Sequence, residues 1–214
     1  MYNAHPSDAL NRAFAARPFQ GVEPEKAQFL FVGLDANYSP TVEQSPIFPQ
    51  LLDYLSDGVG FWRAHGVHHP FLLAEYRGDG RKYHKTFARI GFTTANADEV
   101  SFVELVHVPT FGRNTLVSED LDSEHLRRLN HAIEHGNARH VFIPDGVAKL
   151  MRASGSFPWM PKTPIDDGRV LKVWHKTESK MIYWHYHLSV YGKFEQKKTR
   201  QLNAIGQLII KVGS

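Results

Sequence analysis

The 214-residue sequence predicts a single α/β domain built on a central, mostly parallel sheet of four to five strands with helices on both faces. Three observations lead there. Short apolar runs rich in β-branched and aromatic residues alternate with helical patterns, and turn residues follow each run. No repeat, low-complexity tract or Ser/Pro/Gly-rich linker divides the chain, so 1–214 reads as one unit with its core over about 28–210. The composition, 42% hydrophobic and 22% charged, is that of a folded chain rather than a disordered or membrane one.

The first strand is expected over 28–33 ("QFLFVG"), followed by a helix over 49–56 ("PQLLDYLS") and another over 82–90 ("KYHKTFARI"). A second strand is expected over 99–108 ("EVSFVELVHV"). The helix over 123–135 has Ser118 and Ser123 as N-cap candidates and Gly136 just past its end, the usual punctuation of a helix. Strands over 139–144 ("RHVFIP") and 180–187 ("KMIYWHYH") follow, with "RVLKVWH" at 169–175 as a shorter fifth. Helices over 146–153 and 197–212 complete the alternation. In such sheets ligands sit outside the carboxyl ends of the strands.

Absence of cysteine excludes disulfides, thiol nucleophiles, zinc-thiolate sites and cysteine-held iron–sulfur clusters. The first residues lack the apolar core of a signal peptide, and no run approaches the ~18 apolar residues of a membrane span. A cytoplasmic protein without a membrane partner is the expectation. Lys and Arg exceed Asp and Glu by 25 − 22 = +3, and the pI is about 9.0, a balance that admits an anionic partner.

Three stretches carry groups capable of chemistry. In "FLFVGLDANYSP", 29–40, Gly33 permits a tight turn or close approach, and Asp35 leaves the sheet where a pocket would lie. A carboxylate there can activate water or stabilise a cation; an Asx-turn or helix cap is the alternative use. In "YWHYHLSVYGKF", 183–194, His185 and His187 share one face of a strand, suited to a metal pair, to a general acid, or to structure. "HGVHH", 65–69, could supply further metal ligands or simply be a loop. In "SFVELVHVPTFGRNT", 101–115, Glu104 interrupts an apolar strand, so it is either paired, used, or turned to solvent at an edge. The loop after it, with Pro109, Gly112 and Arg113, suits an anion or a plain surface turn.

In order along the chain, these stretches resemble the uracil-DNA glycosylase superfamily. Gly33-Leu34-Asp35-Ala36-Asn37-Tyr38 is similar to the family's first motif, Gly-Gln-Asp-Pro-Tyr-His. Val103 to Pro109 and the following "TFGRN" resemble the strand that bears a base-reading Asn and its Pro-rich loop. His187-Leu188-Ser189 is similar to the last motif, His-Pro-Ser, and "PIFPQLLDYL" to the segment that carries an aromatic stacker.

The resemblance implies a three-layer α/β/α fold and a monofunctional hydrolase of base excision repair. Such an enzyme cuts the N-glycosidic bond of uracil or a related deaminated base flipped out of DNA. It implies no metal and no cofactor, a monomer, and DNA as partner, placing the protein with the nucleoid when at work. Asp35 and His187 would be catalytic, the first beside the sugar and the second donating to the departing base. Gly33, Leu34, Asn37, Tyr38, Phe48, Glu104, His185 and Ser189 would line the substrate, with Phe48 stacking on the base. Arg113, Val190, Tyr191, Lys193 and Lys197 would meet DNA, with Lys198 and Arg200 as further phosphate contacts.

The chain departs from the pattern at several positions. Glu104 stands where the family usually has Asn, so reading uracil requires a protonated Glu104, another donor or another register. The first motif lacks its proline and has Asn37 in place of a Tyr, and Leu188 replaces the proline of the last motif. A second alignment of the last motif promotes His185 over His187. A damaged-DNA or abasic-site binding protein of the same fold, without turnover, is the alternative reading.

Overall fold

The computed structural model describes residues 2–112 and 115–212, with the side chains of 211 and 212 left aside. Seven α-helices and eight strands are formed by the described residues. The chain opens with α1 (Asp8–Ala16), capped by the Ser7 side chain, and β1 (Phe19–Gly21). Next come β2 (Phe29–Gly33), β3 (Asn37–Tyr38), α2 (Phe48–Ser56), α3 (Gly58–His65) and α4 (Arg81–Ala88). The second half contains β4 (Val100–Glu104), β5 (Thr110–Phe111), α5 (Ser123–His135), β6 (His140–Pro144) and α6 (Asp145–Ser154). It ends with β7 (Val173–Lys176), β8 (Met181–His185) and α7 (Glu195–Val212).

Six strands form one sheet in the order β1-β4-β2-β6-β8-β7. The inner four are parallel, while β1 and β7 run antiparallel at the two edges. The α/β class and the parallel core thus agree with the sequence reading, and the sheet is wider than the four or five strands expected. β1 was not legible: three residues with a Gln at their centre carry no strand signature.

Register explains the core. Phe31 faces Phe102 on one side and Phe142 on the other, and Phe142 faces Tyr183. Their rings stack across the sheet, with centroids 5.5, 4.6 and 5.3 Å apart. Each such pair adds about 0.5–1.5 kcal/mol beyond simple burial. Trp62 of α3, Phe87 of α4 and Leu202 and Ile205 of α7 cover this aromatic ladder. The opposite face presents Leu30, Val32, Val103 and Val141 to Leu126, Leu129 and Ile133 of α5 and Val147 and Met151 of α6. A third cluster, Leu10, Phe14, Tyr38, Leu51 and Tyr54 among it, packs α1 and α2 beside the sheet.

Two local expectations need correction. β4 ends at Glu104 rather than at residue 108, because the chain turns there and Thr110 and Phe111 pair in parallel with Asn37 and Tyr38 as β3 and β5. The N-cap of α5 is Asp122, whose Oδ1 accepts from the His125 N–H at 2.7 Å, so neither Ser118 nor Ser123 holds that position. Among the described residues no helix is long and apolar enough to cross a membrane.

Candidate active site

Beyond the carboxyl ends of β2, β4 and β6 lies a cavity of about 460 Å3. Gly33, Leu34, Asp35, Asn37 and Tyr38 reach it from β2 and the segment after it, Glu104 from β4, and His187 and Ser189 from the loop after β8. Eight sequence-predicted positions from three separate stretches therefore meet in one place.

Asp35 is partly buried, and its Oδ2 accepts from Thr110 Oγ1 at 2.5 Å and from Asn37 Nδ2 at 3.3 Å. Asn37 Nδ2 also donates to Thr110 Oγ1 and to the Gly112 carbonyl, at 3.1 and 2.9 Å. The loop after β4 thus fixes the carboxylate, and the Asn37 amide acts as a brace.

Glu104 is paired in register with Gly33 and points into the cavity, not to solvent at an edge as one reading of the sequence had it. Its carboxyl accepts no hydrogen bond from the described residues. Burial, reinforced by the negative charge of Asp35, pushes its pKa up to about 8. At neutral pH it is mainly a carboxylic acid, with one O–H donor beside one carbonyl acceptor.

β8 stops at His185, so the strand alternation that would align His185 with His187 is broken. His185 is buried against the Phe142 ring, and its Nδ1–H donates to the Tyr186 carbonyl at 2.8 Å. It does not line the cavity, which removes it as a substrate contact and dissolves the metal pair. His187 stands exposed at the mouth, its Nδ1 accepting from the Ser189 N–H at 3.3 Å. Crowding by protein lowers its pKa, with Asp35 pulling the other way. A neutral His187 in this tautomer carries its proton on Nε2 and is a donor.

Phe48 does not reach the cavity; it begins α2 and packs against the cluster around Leu51 and Tyr54. The aromatic wall is formed instead by Phe71, Tyr83, His69 and His84. His69 and His84 stack with centroids 3.6 Å apart, and His84 Nδ1 lies 3.2 Å from His68 Nε2. Burial holds all three rings neutral, His84 at a pKa of about 3 and the other two well below the usual value. His69 Nδ1 accepts from the Phe71 N–H at 3.1 Å, so its proton is on Nε2. The "HGVHH" stretch marked His68 and His69, as metal donors or a plain loop, and left His84 out; among the described residues no group of three or more His, Asp or Glu is arranged to hold a metal ion.

Gln20 of β1 was missed altogether. It lines the cavity at 8% exposure, and its Nε2 is buried without a hydrogen-bond partner among the described residues. An unpaired buried amide costs about 1–3 kcal/mol.

Around the mouth, Tyr191 is 74% exposed with the Lys82 ammonium 4.2 Å from its ring centre. Val190 is partly buried, Lys193, Lys197 and Arg200 are exposed, and Arg113 lies outside the described residues. Lys198 is not a phosphate contact. It is 1% exposed, and its Nζ donates to the Val190 carbonyl at 2.6 Å and meets Glu195 Oε2 at 2.9 Å. Lys82 and Lys85 of α4 are exposed as well, while Arg81 is partly buried and donates to the Tyr76 carbonyl at 2.9 Å.

No protein-family model matches the chain, and no curated protein matches it.

Proposed function

We propose that the chain is a monofunctional DNA glycosylase that hydrolyses the N-glycosidic bond of uracil or a related deaminated base as a step of base excision repair. The observation that carries this reading is the meeting of a braced carboxylate, Asp35, a carboxylic acid, Glu104, and a donor histidine, His187, in one cavity.

The reaction breaks the C1′–N bond with its electron pair leaving on the base, and a water oxygen forms the new bond to C1′. Positive charge develops on the sugar while the base becomes anionic. Asp35 stabilises the sugar cation and orients the water; the proton that the water loses as it bonds to C1′ goes to the Asp35 carboxylate and on to solvent, and the departed base anion takes one proton from solvent. Thr110 and Asn37 hold that carboxylate still, so little reorganisation is needed. His187 Nε2–H donates to an oxygen of the departing base, the neutral ring being favoured by the protein that crowds it. Glu104 reads the base as an acid that can both donate and accept, the role an amide fills elsewhere. Tyr191, Lys82, Lys193 and Lys197 supply the surface that meets the strand.

The test uses labelled single- and double-stranded oligonucleotides containing uracil, hypoxanthine or xanthine, incubated with wild type or Asp35→Asn and then treated with alkali to cut abasic sites. Cleavage by wild type that falls by roughly 10²–10⁴-fold in the variant is the expected result. No cleavage of any substrate, with binding retained, would replace the enzyme with a damaged-DNA binding protein.

A further inference from the structure

The cavity holds more hydrogen-bonding groups than bond cleavage at its mouth uses. Gln20 pairs with Phe102 in the β1–β4 register, and Glu104 lies two residues beyond Phe102 on the same face of the sheet. Both side chains line the cavity. The Gln20 Nε2 is buried and unpartnered among the described residues, and the Glu104 carboxyl accepts no hydrogen bond there. β1 approaches β4 closely at the next residue: Gly21 has φ +83°, and a Cβ on it would fall 2.4 Å from the Val100 carbonyl oxygen.

We propose that Gln20 is a specificity-determining residue that works with Glu104 to read an imide edge, the carbonyl, N–H, carbonyl sequence of a dioxo heterocycle such as xanthine or uracil. The inference rests on the glycosylase reading for the base being attached to DNA. Recognition of the heterocycle itself follows from the donors and acceptors in the cavity.

A carboxylic acid offers one acceptor and one donor side by side, which satisfies an imide N–H and one of its carbonyls. The second carbonyl needs a further donor, and the Gln20 amide nitrogen is a buried donor with no other protein partner. His69 Nε2–H adds another donor to the same cavity, raising its demand for oxygen acceptors. Hypoxanthine has a single carbonyl beside its N–H and would leave one of these donors facing C–H. Cytosine and adenine would bring an amino group toward them. A site built to hydrogen-bond a group rejects the analogue that lacks it far more strongly than an apolar pocket rejects a change of size.

The experiment compares wild type, Gln20→Leu and Gln20→Met for release of xanthine, uracil and hypoxanthine from duplex oligonucleotides. Thermal melting of each protein with free xanthine, uracil or hypoxanthine is measured alongside. Both substitutions remove the amide while keeping an apolar side chain of similar length beside Phe102, and one folded variant suffices. The expected result is a xanthine-to-hypoxanthine preference of about tenfold or more in wild type that collapses toward one in the variants through loss on the xanthine side. An unchanged ratio, or an equal loss for all bases, overturns the proposal and leaves the glycosylase reading intact. If no oligonucleotide is cleaved, yet free xanthine raises the melting temperature of wild type and not of the variants, the glycosylase reading fails and this inference stands. Absence of both cleavage and a melting shift overturns it.

Discussion

Glu104 lies directly over Gly33: a Cβ on Gly33 would sit 1.9 Å from Glu104 Oε2 and 2.5 Å from its carboxyl carbon. The glycine at the end of β2 is therefore the space in which the acid on β4 rests. Gly33→Ala is expected to displace the carboxyl while the strands stay paired, since only a side-chain end must move. Overpacking should cost about 1–3 kcal/mol, and on the proposed function excision of an imide base should fall about 10- to 100-fold. A double-mutant cycle in denaturant checks the cause: in a Glu104→Ala background the stability cost of Gly33→Ala should largely vanish.

The raised pKa of Glu104 predicts a pH limb with a definite sign. The unfolded chain releases this proton near pH 4.5 and the folded chain near 8, so the stabilities diverge in between. Across that window the folded state binds more protons, and stability falls as pH rises. Above about pH 8 the ionised side chain can only accept, so kcat/KM on imide bases should decline roughly tenfold per pH unit. Glu104→Gln keeps a donor and an acceptor at every pH. Its rate profile should lack the alkaline limb, and its melting temperature should drop less than that of wild type between pH 5 and about 8.

How much of this was legible beforehand depended on whether a residue's role was local. The strands at β2, β4, β6 and β8 declared themselves because each is largely buried and reads as a short run dominated by apolar, β-branched and aromatic residues. Asp35 and His187 were found because the end of such a strand is where a site must lie. β1 and α3 gave no such signal: one is three residues long, and the other begins Gly-Val-Gly and is started by the Asp57 cap. Gln20 on β1, His69 in the loop after α3 and His84 on α4 became cavity residues only through tertiary placement, which no spacing within the chain reveals. Phe48 and His185 failed for the converse reason, since their sequence neighbourhoods were suitable but their side chains turn into separate apolar clusters.

The buried histidines set the behaviour in acid. His68 is enclosed by Trp62, Phe87 and Phe102, with ring centroids 5.6, 4.4 and 6.0 Å away. Burial lowers the pKa values of His68, His69 and His84. Below pH 6.5 the unfolded chain takes up protons that these folded rings refuse, so stability is lost as pH falls, at roughly 1.4 kcal/mol per pH unit for each ring. His68→Phe removes one such ring and should cost only about 1 kcal/mol at neutral pH through the lost contact with His84. Acid unfolding followed by circular dichroism should then show a smaller loss of stability per pH unit below 6.5. An unchanged slope would show that His68 takes up its proton in the folded state.

Lys198 and Lys197 are adjacent in sequence and should behave in opposite ways. The Lys198 ammonium reaches back from α7 to the carbonyls of Leu188 and Val190, at 3.4 and 2.6 Å, and so ties down the loop that carries Ser189 and Tyr191. Removing a partner from a fully buried ion pair costs about 3–5 kcal/mol, and the exposure of Glu195 puts Lys198→Met below that, at about 2 kcal/mol. With the loop loosened, His187 loses its fixed Ser189 N–H contact, so kcat should fall along with affinity for DNA. Lys197 is exposed, and Lys197→Ala should leave stability and kcat unchanged. Its effect should appear only as weaker binding of every sequence alike, with the slope of log affinity against log salt reduced by about one. Melting curves and salt titrations of the two variants side by side separate a lysine that holds the loop from one that, on the proposed function, meets the phosphate backbone.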